Sequence, residues 1–439
     1  MITSKNFQNK TYYVFGLSRT GKGAIKCLQA SGAKVYAWDD NAENVKSVDS
    51  TQAEFITPSE MDWAKIDYLV LSPGIPIIGD NANKVVRFAK ENNVEIISDL
   101  DLLYQACPDA KYIGITGTNG KSTTTALVGH ILKNCGYKVC VGGNIGVSVL
   151  ELELLGADGI YVIEASSFQL DISNHIRFNI AAVVNITPDH LDRHLTMENY
   201  IAAKERILRN QTADDIAIIS KDYSIPFKGK NLVSMSCKTE ANVTCKDRII
   251  TDGNKIFDLT DMKFLPGKHN EENIVAAYTI CTRFGANPED VIKHSKTFAG
   301  LEHRIEFVLE KNGLKFINDS KATNADAAEK ALLCFDNIYW ILGGVAKTDG
   351  IDSLAPLFKK IKKAYLIGKA QDRFAHTLSS ANCIFEKVGT IEAALDKIKA
   401  ENHNSGVVLL SPACASYDQF KDFEHRGRVF KELVEARWA

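Results

Sequence analysis

The chain has 439 residues, too many for one ordinary core, which predicts more than one domain. Hydrophobic residues make up 45% and charged residues 24%, the balance of a soluble globular protein. With 52 Lys+Arg against 54 Asp+Glu there is no net field to draw the chain to nucleic acid or to an anionic membrane surface.

The opening MITSKNFQNKTYYVFG lacks the apolar core and small-residue cleavage site of a signal peptide. No run approaches the roughly 18 apolar residues of a membrane span. Ten cysteines are scattered without CxxC spacing, so reduced thiols acting as small buried apolar groups, in a cytoplasmic protein, are expected rather than disulfides or zinc.

Apolar β-rich runs alternate with helical patterns, which predicts layered α/β structure with parallel sheets in three blocks. In residues 1–108, TYYVFG, AKVYAWDD, IDYLVLS and VEIIS read as strands, with a helix over 20–31. Residues 109–303 open on a strand, a Gly-rich loop and a helix, KYIGITGTNGKSTTTALVGHIL, and continue through the strands GIYVIEASS and IAAVVNIT. In residues 304–439, LKFIND, NIYWILGG, KKAYLIG and GVVLLSPA are strands separated by helices. Linkers are expected near Cys107-Pro108 and around Gly300 to Arg304; residues 221–265 read as short strands and turns without an assigned role.

The strongest local signal is GTNGKST, Gly117, Thr118, Asn119, Gly120, Lys121, Ser122 and Thr123, between a strand and a helix. Glycines let backbone N–H groups close around phosphate oxygens, and the following helix points its positive end at them. Lys121 is placed to meet β- and γ-phosphates, with the Ser122 and Thr123 hydroxyls for magnesium and phosphate. Ile115 stands where the standard loop has its first glycine. Glu164 ends a strand at the carboxyl edge, where α/β proteins place ligand groups, and is a natural magnesium ligand. His190 follows the next strand; by itself such a loop histidine is most often a surface group. Lys204 falls with Ile201 and Leu208 at i, i+3 and i+7, on the apolar face of a helix. A snorkelling stem is its ordinary explanation. In the first block, VFGLSRTG with Asp39 and Asp40 downstream imitates a dinucleotide fingerprint, but Ser18 replaces the middle glycine.

The compressed loop G-T-x-G-K-[ST] resembles that of the Mur ligases and the related folylpolyglutamate synthases. The resemblance runs through GGNIG, EASSFQL, NITPDHLDRH, YIAAKERI, GKHNEEN, GLEHRIE, INDSKATN, LGG and LSPACASYDQF, nearly the whole chain. DSKATN and SPACASYDQF look specifically like the D-glutamate-adding branch; folylpolyglutamate synthases usually lack the complete first block. The fold implied is a Rossmann-like N-terminal domain, a central P-loop ATPase-like domain and a C-terminal Rossmann-like domain.

The implied activity is ATP-dependent amide formation between UDP-N-acetylmuramoyl-L-alanine and D-glutamate through an acyl phosphate, by a cytoplasmic monomer. ATP and two magnesium ions are the implied cofactors. The resemblance implies magnesium on Ser122, Glu164, His190 and a Lys204 carbamylated by CO2. Adenine would lie at Asn270, Asn273 and His303, the ribose at Asp319 and the γ-phosphate at Arg304. Lys321 and Thr323 would border the phosphate and the incoming amino acid, with Lys347, Ser416 and Phe423 on the two carboxylates of D-glutamate. Arg19, Thr20, Asp39, Asp40, Asn41, Ser72 and Gly74 would receive the UDP part, and Asn144 and Ser166 the reacting end. Nucleotide-driven closure is expected from a hinge near Gly300 to Arg304. The rival readings are a related ligase that adds a different amino acid or a folylpolyglutamate synthase, an NAD-dependent dehydrogenase, which leaves the phosphate loop unexplained, and a nucleotide-binding regulator without substrate-stimulated hydrolysis.

Overall fold

The computed structural model describes the whole chain except residues 80, 224–226, 228, 230, 263, 347–349 and 439, and the side chain of His269. It forms two compact units, Met1–Asp261 with His269–Lys296, and Met262–Lys268 with Thr297–Ala439.

The first unit contains two sheets. One is built from β1 (Thr11–Phe15), β2 (Lys34–Trp38), β3 (Glu54–Phe55), β4 (Tyr68–Leu71) and β5 (Glu95–Ile97), all parallel, in the order β3-β2-β1-β4-β5. The other contains β6 (Lys111–Thr116), β7 (Lys138–Gly143), β8 (Gly159–Glu164), β9 (Ile180–Val183), β10 (Ile216–Ser220), β11 (Leu232–Ser236), β12 (Val243–Lys246), β13 (Ile249–Asp252) and β14 (Lys255–Asp258). Its order is β14-β13-β12-β11-β10-β9-β6-β8-β7, parallel as far as β12 and then extended by an antiparallel meander. Every residue of β8 and β9 is buried, as expected of central strands covered on both faces.

The join between the two sheets is short and packed. Cys107 is buried and its carbonyl accepts a hydrogen bond from Tyr112 Oη at 2.8 Å. The Asp101 carboxylate accepts the backbone N–H groups of Asn174, His175 and Ile176, so the helix Asp99–Ala106 is fastened to the central sheet's side of the chain. One apolar cluster joins Leu17, Leu28 and Leu103 to Leu150, Tyr161 and Phe178.

The second unit holds β15 (Glu306–Lys311), β16 (Leu314–Asn318), β17 (Ile338–Gly343), β18 (Ile361–Ile367), β19 (Phe385–Gly389) and β20 (Gly406–Leu410), in the order β15-β16-β20-β17-β18-β19. Only β15 runs antiparallel, paired with β16; the other pairs are parallel. The α/β class with parallel-rich sheets in three blocks is thus the architecture observed. All ten cysteines are free thiols, five buried and five half-buried. No helix among the described residues is long and apolar enough to cross a membrane.

Candidate functional site: a phosphate loop and the loops at the strand ends

Central strand β6 delivers the loop Gly117–Gly120 to the carboxyl edge of its sheet, and the helix Lys121–Asn134 begins there. Gly120 has φ 76°, and a Cβ on it would lie 2.1 Å from Asn273 Oδ1, so both conformation and space demand glycine. The loop is held by Asn185, the second residue beyond β9. Its Oδ1 accepts the N–H groups of Thr118 and Asn119 at 3.0 and 2.8 Å, and its Nδ2 donates to Asn119 O at 3.1 Å. Thr118 Oγ1 donates to Thr187 O at 3.0 Å and shares a hydrogen bond with Tyr200 Oη.

Two ammonium groups converge on this loop. Lys121 Nζ donates to the carbonyls of Gly117 and Thr118, and Lys204 Nζ donates to the same Gly117 carbonyl at 2.8 Å. Lys204 is 1% exposed. Burial foremost, and then the neighbouring Lys121 charge, pull its amine down to about 7. The start of the helix and the Lys121 side chain make an anion site. Ser122 is half-buried, Thr123 is buried, and Thr124 Oγ1 donates to Asn273 Oδ1, whose amide nitrogen donates to Asn270. Asn270 and Asn273 are therefore buried against the start of the loop helix.

The helix carrying Lys204 runs Met197–Glu205 and gives way to a 3-10 turn at Arg206–Leu208. Its buried residues are Tyr200, Ala203 and Lys204, followed by Ile207. The expected partners Ile201 and Leu208 are only half-buried, because the tighter turn rotates Leu208 off the helical register. The lysine is on the buried face as its spacing implied, but its head meets a loop carbonyl instead of water.

Glu164, the last residue of β8, is 1% exposed. Asn144 Nδ2 donates to its Oε1 at 2.8 Å, while its Oε2 is buried without a hydrogen-bond partner. A buried carboxylate oxygen left unpaired beside a phosphate loop is a fit for a hard cation, as is the Ser122 hydroxyl. His190 is exposed, with φ 52°, its ring centroid 4.9 Å from that of Phe168 and its Nε2 3.5 Å from Asp189. Among the described residues no three His, Cys, Asp or Glu side chains are grouped to hold a metal by themselves. Phosphate oxygens and water would have to complete the shell, the usual arrangement for magnesium.

The first block's residues gather at the ends of β1, β2 and β4. Asp39 is buried; its Oδ2 accepts the N–H of Leu17 at 2.6 Å and its Oδ1 that of Asn41 at 2.8 Å. It organises the loops, while Asp40 is exposed and accepts from Asn83. Asn41 caps the short helix Ala42–Lys46. Ser72 Oγ donates to Gly16 O at 2.6 Å. Arg19, at the start of its helix with Thr20 beside it, donates to Gly146 O at 2.7 Å, in the loop that also holds Asn144. Ser166 caps the helix Ser167–Ile172, sharing a capping box with Gln169. Arg193 donates to the carbonyls of Pro73, Gly74 and Ile75, and lies 5.1 Å over the Phe168 ring. His194 is 1% exposed and meets Ser167 Oγ at 2.9 Å; burial, then the Arg193 and Lys204 charges, hold it down to about 4.

In the second unit, His303 is buried with φ 63° and faces Asn318 Nδ2 at 3.0 Å. Arg304 follows it on the surface side, half-buried. Asp319 is buried and accepts from Ser411 Oγ at 2.7 Å and from Ile305 N at 3.2 Å; burial pushes its carboxyl up to about 7. Lys321 sits with its Nζ 5.7 Å from the Phe423 ring centroid, Thr323 is half-buried and Ser416 is buried. Lys347 lies outside the described residues. Sequence reasoning passed over Asn185, Arg193, His194 and Arg426. Only Asn185 gave a local signal, a polar residue directly ending a buried strand beside the loop strand.

Comparison with known proteins agrees with this layout. Residues 115–281 match the Mur ligase middle domain family, and residues 303–414 match the Mur ligase, glutamate ligase domain family. The chain is 41% identical to the UDP-N-acetylmuramoylalanine--D-glutamate ligase of Phenylobacterium zucineum, over 99% of this chain and 98% of that protein. Identity to the ligase of the same name from Paramagnetospirillum magneticum is 40%, over 99% and 98%. Among solved structures, UDP-N-acetylmuramate-alanine ligase MurC from Thermotoga maritima is similar with a TM-score of 0.62 at 19% identity, covering 97% of this chain and 99% of that one. MurF from Acinetobacter baumannii gives 0.61 at 18% identity, covering 85% and 86%. These two share the fold.

Proposed function

The chain belongs to the Mur ligase family, and from that premise we propose that it joins D-glutamate to UDP-N-acetylmuramoyl-L-alanine, converting ATP to ADP and phosphate. The observation that carries the reading is the phosphate loop on which Lys121 and Lys204 converge, beside a buried carboxylate with one unpaired oxygen.

A carboxylate is a poor acylating agent, so the γ-phosphoryl group of ATP is first passed to it. The terminal carboxylate oxygen of the alanyl substrate attacks the γ-phosphorus, the bond to the β–γ bridging oxygen breaks, and ADP leaves. The D-glutamate nitrogen then attacks the acyl carbon, loses a proton, and phosphate departs as the amide forms. The N–H groups at the start of the loop helix and Lys121 stabilise the charge that moves onto the β-phosphate, and Arg304 takes the γ-phosphate through its planar fork. Lys321 neutralises the same phosphoryl group.

Magnesium, when bound, neutralises phosphate charge and orients the oxygens for in-line transfer. Ser122, Glu164, His190 and Lys204 would hold two ions, Lys204 as its carbamate. A buried amine near neutrality keeps a free electron pair for CO2; the N–C bond forms, one proton leaves, and an anionic oxygen ligand results. Residues 1–108 take the UDP end of the substrate, residues 109–303 the triphosphate, and residues 304–439 the amino acid through Thr323, Lys347, Ser416 and Phe423. The enzyme works as a cytoplasmic monomer, where ATP and both substrates are available.

Incubation with magnesium, ATP, UDP-N-acetylmuramoyl-L-alanine and D-glutamate should give a product heavier by one glutamyl residue, with ADP and phosphate in equal amounts. ADP formation without that product would refute the reading. Lys204→Ala is expected to abolish turnover beyond rescue by excess bicarbonate; full activity in that variant would remove the carbamate.

A further inference from the structure

The second unit contains one arginine that is withdrawn from solvent altogether. Arg426 lies in the helix Phe423–Trp438 and is 1% exposed. Its Nε donates to Ser320 Oγ at 2.9 Å, and its Nη2 donates to Ser320 O at 2.8 Å and Cys414 O at 3.0 Å. Ser320 Oγ in turn donates to Phe423 O at 2.8 Å. The remaining nitrogen, Nη1, is buried without a hydrogen-bond partner, and a Cβ placed on Gly344 would lie 3.4 Å from it.

Each anchor of this guanidinium is two or three residues from a side chain assigned above to D-glutamate. Ser320 leads to Thr323, Cys414 to Ser416, and Arg426 itself follows Phe423. The DSKATN loop is therefore tied through one planar fork to the SPACAS loop and the start of the last helix, about a hundred residues away in sequence. The Gly344 side of the fork is equally tight: a Cβ there would sit 2.3 Å from Ala415 O. No carboxylate hydrogen-bonds the guanidinium among the described residues; its charge is met by three hydrogen bonds and, at longer range, by Asp418 and Asp319. A buried cation without a directly bonded carboxylate is costly to a fold, which calls for a use of its geometry.

We propose that Arg426 is a positioning residue for the amino-acid substrate: its fork sets the spacing of the three segments that grip D-glutamate. The assignment rests on the functional reading above. Asp319, on the same loop, accepts from Ser411 Oγ of the SPACAS loop and also from Ile305 N, an anchor that the fork does not touch. All three segments that the fork ties reach the amino acid, whereas the ribose segment keeps the Ile305 anchor, so the larger effect falls on the amino acid. Lysine keeps the charge but has no fork, which separates geometry from electrostatics.

The test is steady-state phosphate release by the full chain, varying D-glutamate, ATP and UDP-N-acetylmuramoyl-L-alanine in turn. Arg426→Lys is expected to raise the KM for D-glutamate tenfold or more, with both other KM values changing less than threefold. Ser320→Ala, which removes only the hydroxyl between Arg426 and Phe423, is the milder variant and is expected to raise the same KM about threefold. Thermal melts identify a variant that is not folded, in which case Ser320→Ala decides. An unchanged KM for D-glutamate, or a parallel rise in all three, overturns the assignment alone. A wild-type chain inert toward D-glutamate overturns the functional reading and the assignment with it.

Discussion

Asn185→Ala is the substitution whose consequence the structure sizes most directly. The side chain makes three hydrogen bonds to the phosphate loop, two to the N–H groups of Thr118 and Asn119 and one to Asn119 O. Thr118 N keeps a second acceptor after truncation, the Asn185 backbone carbonyl at 3.0 Å. The net loss is therefore the two bonds that fix the Asn119 peptide groups. At roughly 0.5–1.5 kcal/mol each, the loop loses about 1–3 kcal/mol of pre-organisation. If that organisation acts on bound triphosphate, kcat/KM for ATP falls about 5- to 150-fold. Asn185 is buried, so the lost bonds also lower the melting temperature modestly, and a variant still folded at the assay temperature separates this outcome from general unfolding. Asn185→Asp retains the acceptors but adds negative charge beside the phosphates and should bind ATP no better than the alanine variant. The assay is initial-rate phosphate release against ATP concentration, with a thermal melt on each variant. A kcat/KM for ATP within twofold of the unmodified chain would refute the argument that this amide shapes the loop.

Gly120→Ala forces a side chain to within 2.1 Å of Asn273 Oδ1 at φ 76°, and should lower kcat/KM for ATP at least tenfold in the same assay. Arg193→Met releases the carbonyls of Pro73, Gly74 and Ile75; the KM for UDP-N-acetylmuramoyl-L-alanine should rise about tenfold with the KM for ATP little changed, as read by varying each substrate. His194 is held neutral, with its pKa lowered from 6.5 to about 4 by burial, so an unfolded chain binds the proton that the folded one refuses. Stability present above pH 6.5 is lost as the pH falls toward 4, and His194→Gln should flatten that loss in melts taken at intervals across the range.

Most of the parallel strands and the phosphate loop were legible because both are written locally. Continuous apolar runs mark buried strands, and a glycine, lysine and hydroxyl in succession need no distant partner to be recognised. Lys204 was legible in its burial but not in its register, since nothing in YIAAKERIL announces that the α-helix tightens at Arg206. The strand Lys138–Gly143 escaped notice because it opens on an exposed lysine and ends on two glycines, whereas the meander over 243–258 lies within the stretch read as short strands and turns. Asn185 joins residues 67 positions away, and Arg426 joins a loop 106 positions away, distances over which periodicity carries no information. Asp39 illustrates the remaining difficulty. Its residue type suits a ligand contact, yet its oxygens are occupied by the N–H groups of Leu17 and Asn41, and only the fold reveals that.

The most direct test of the central claim is phosphate release from ATP in the presence of UDP-N-acetylmuramoyl-L-alanine, comparing D-glutamate, L-glutamate, L-alanine and a diamino acid. Release that depends on D-glutamate, accompanied by an amide product of the corresponding mass, is the predicted result. Release with one of the other amino acids and none with D-glutamate would contradict the assignment of the DSKATN and SPACASYDQF loops.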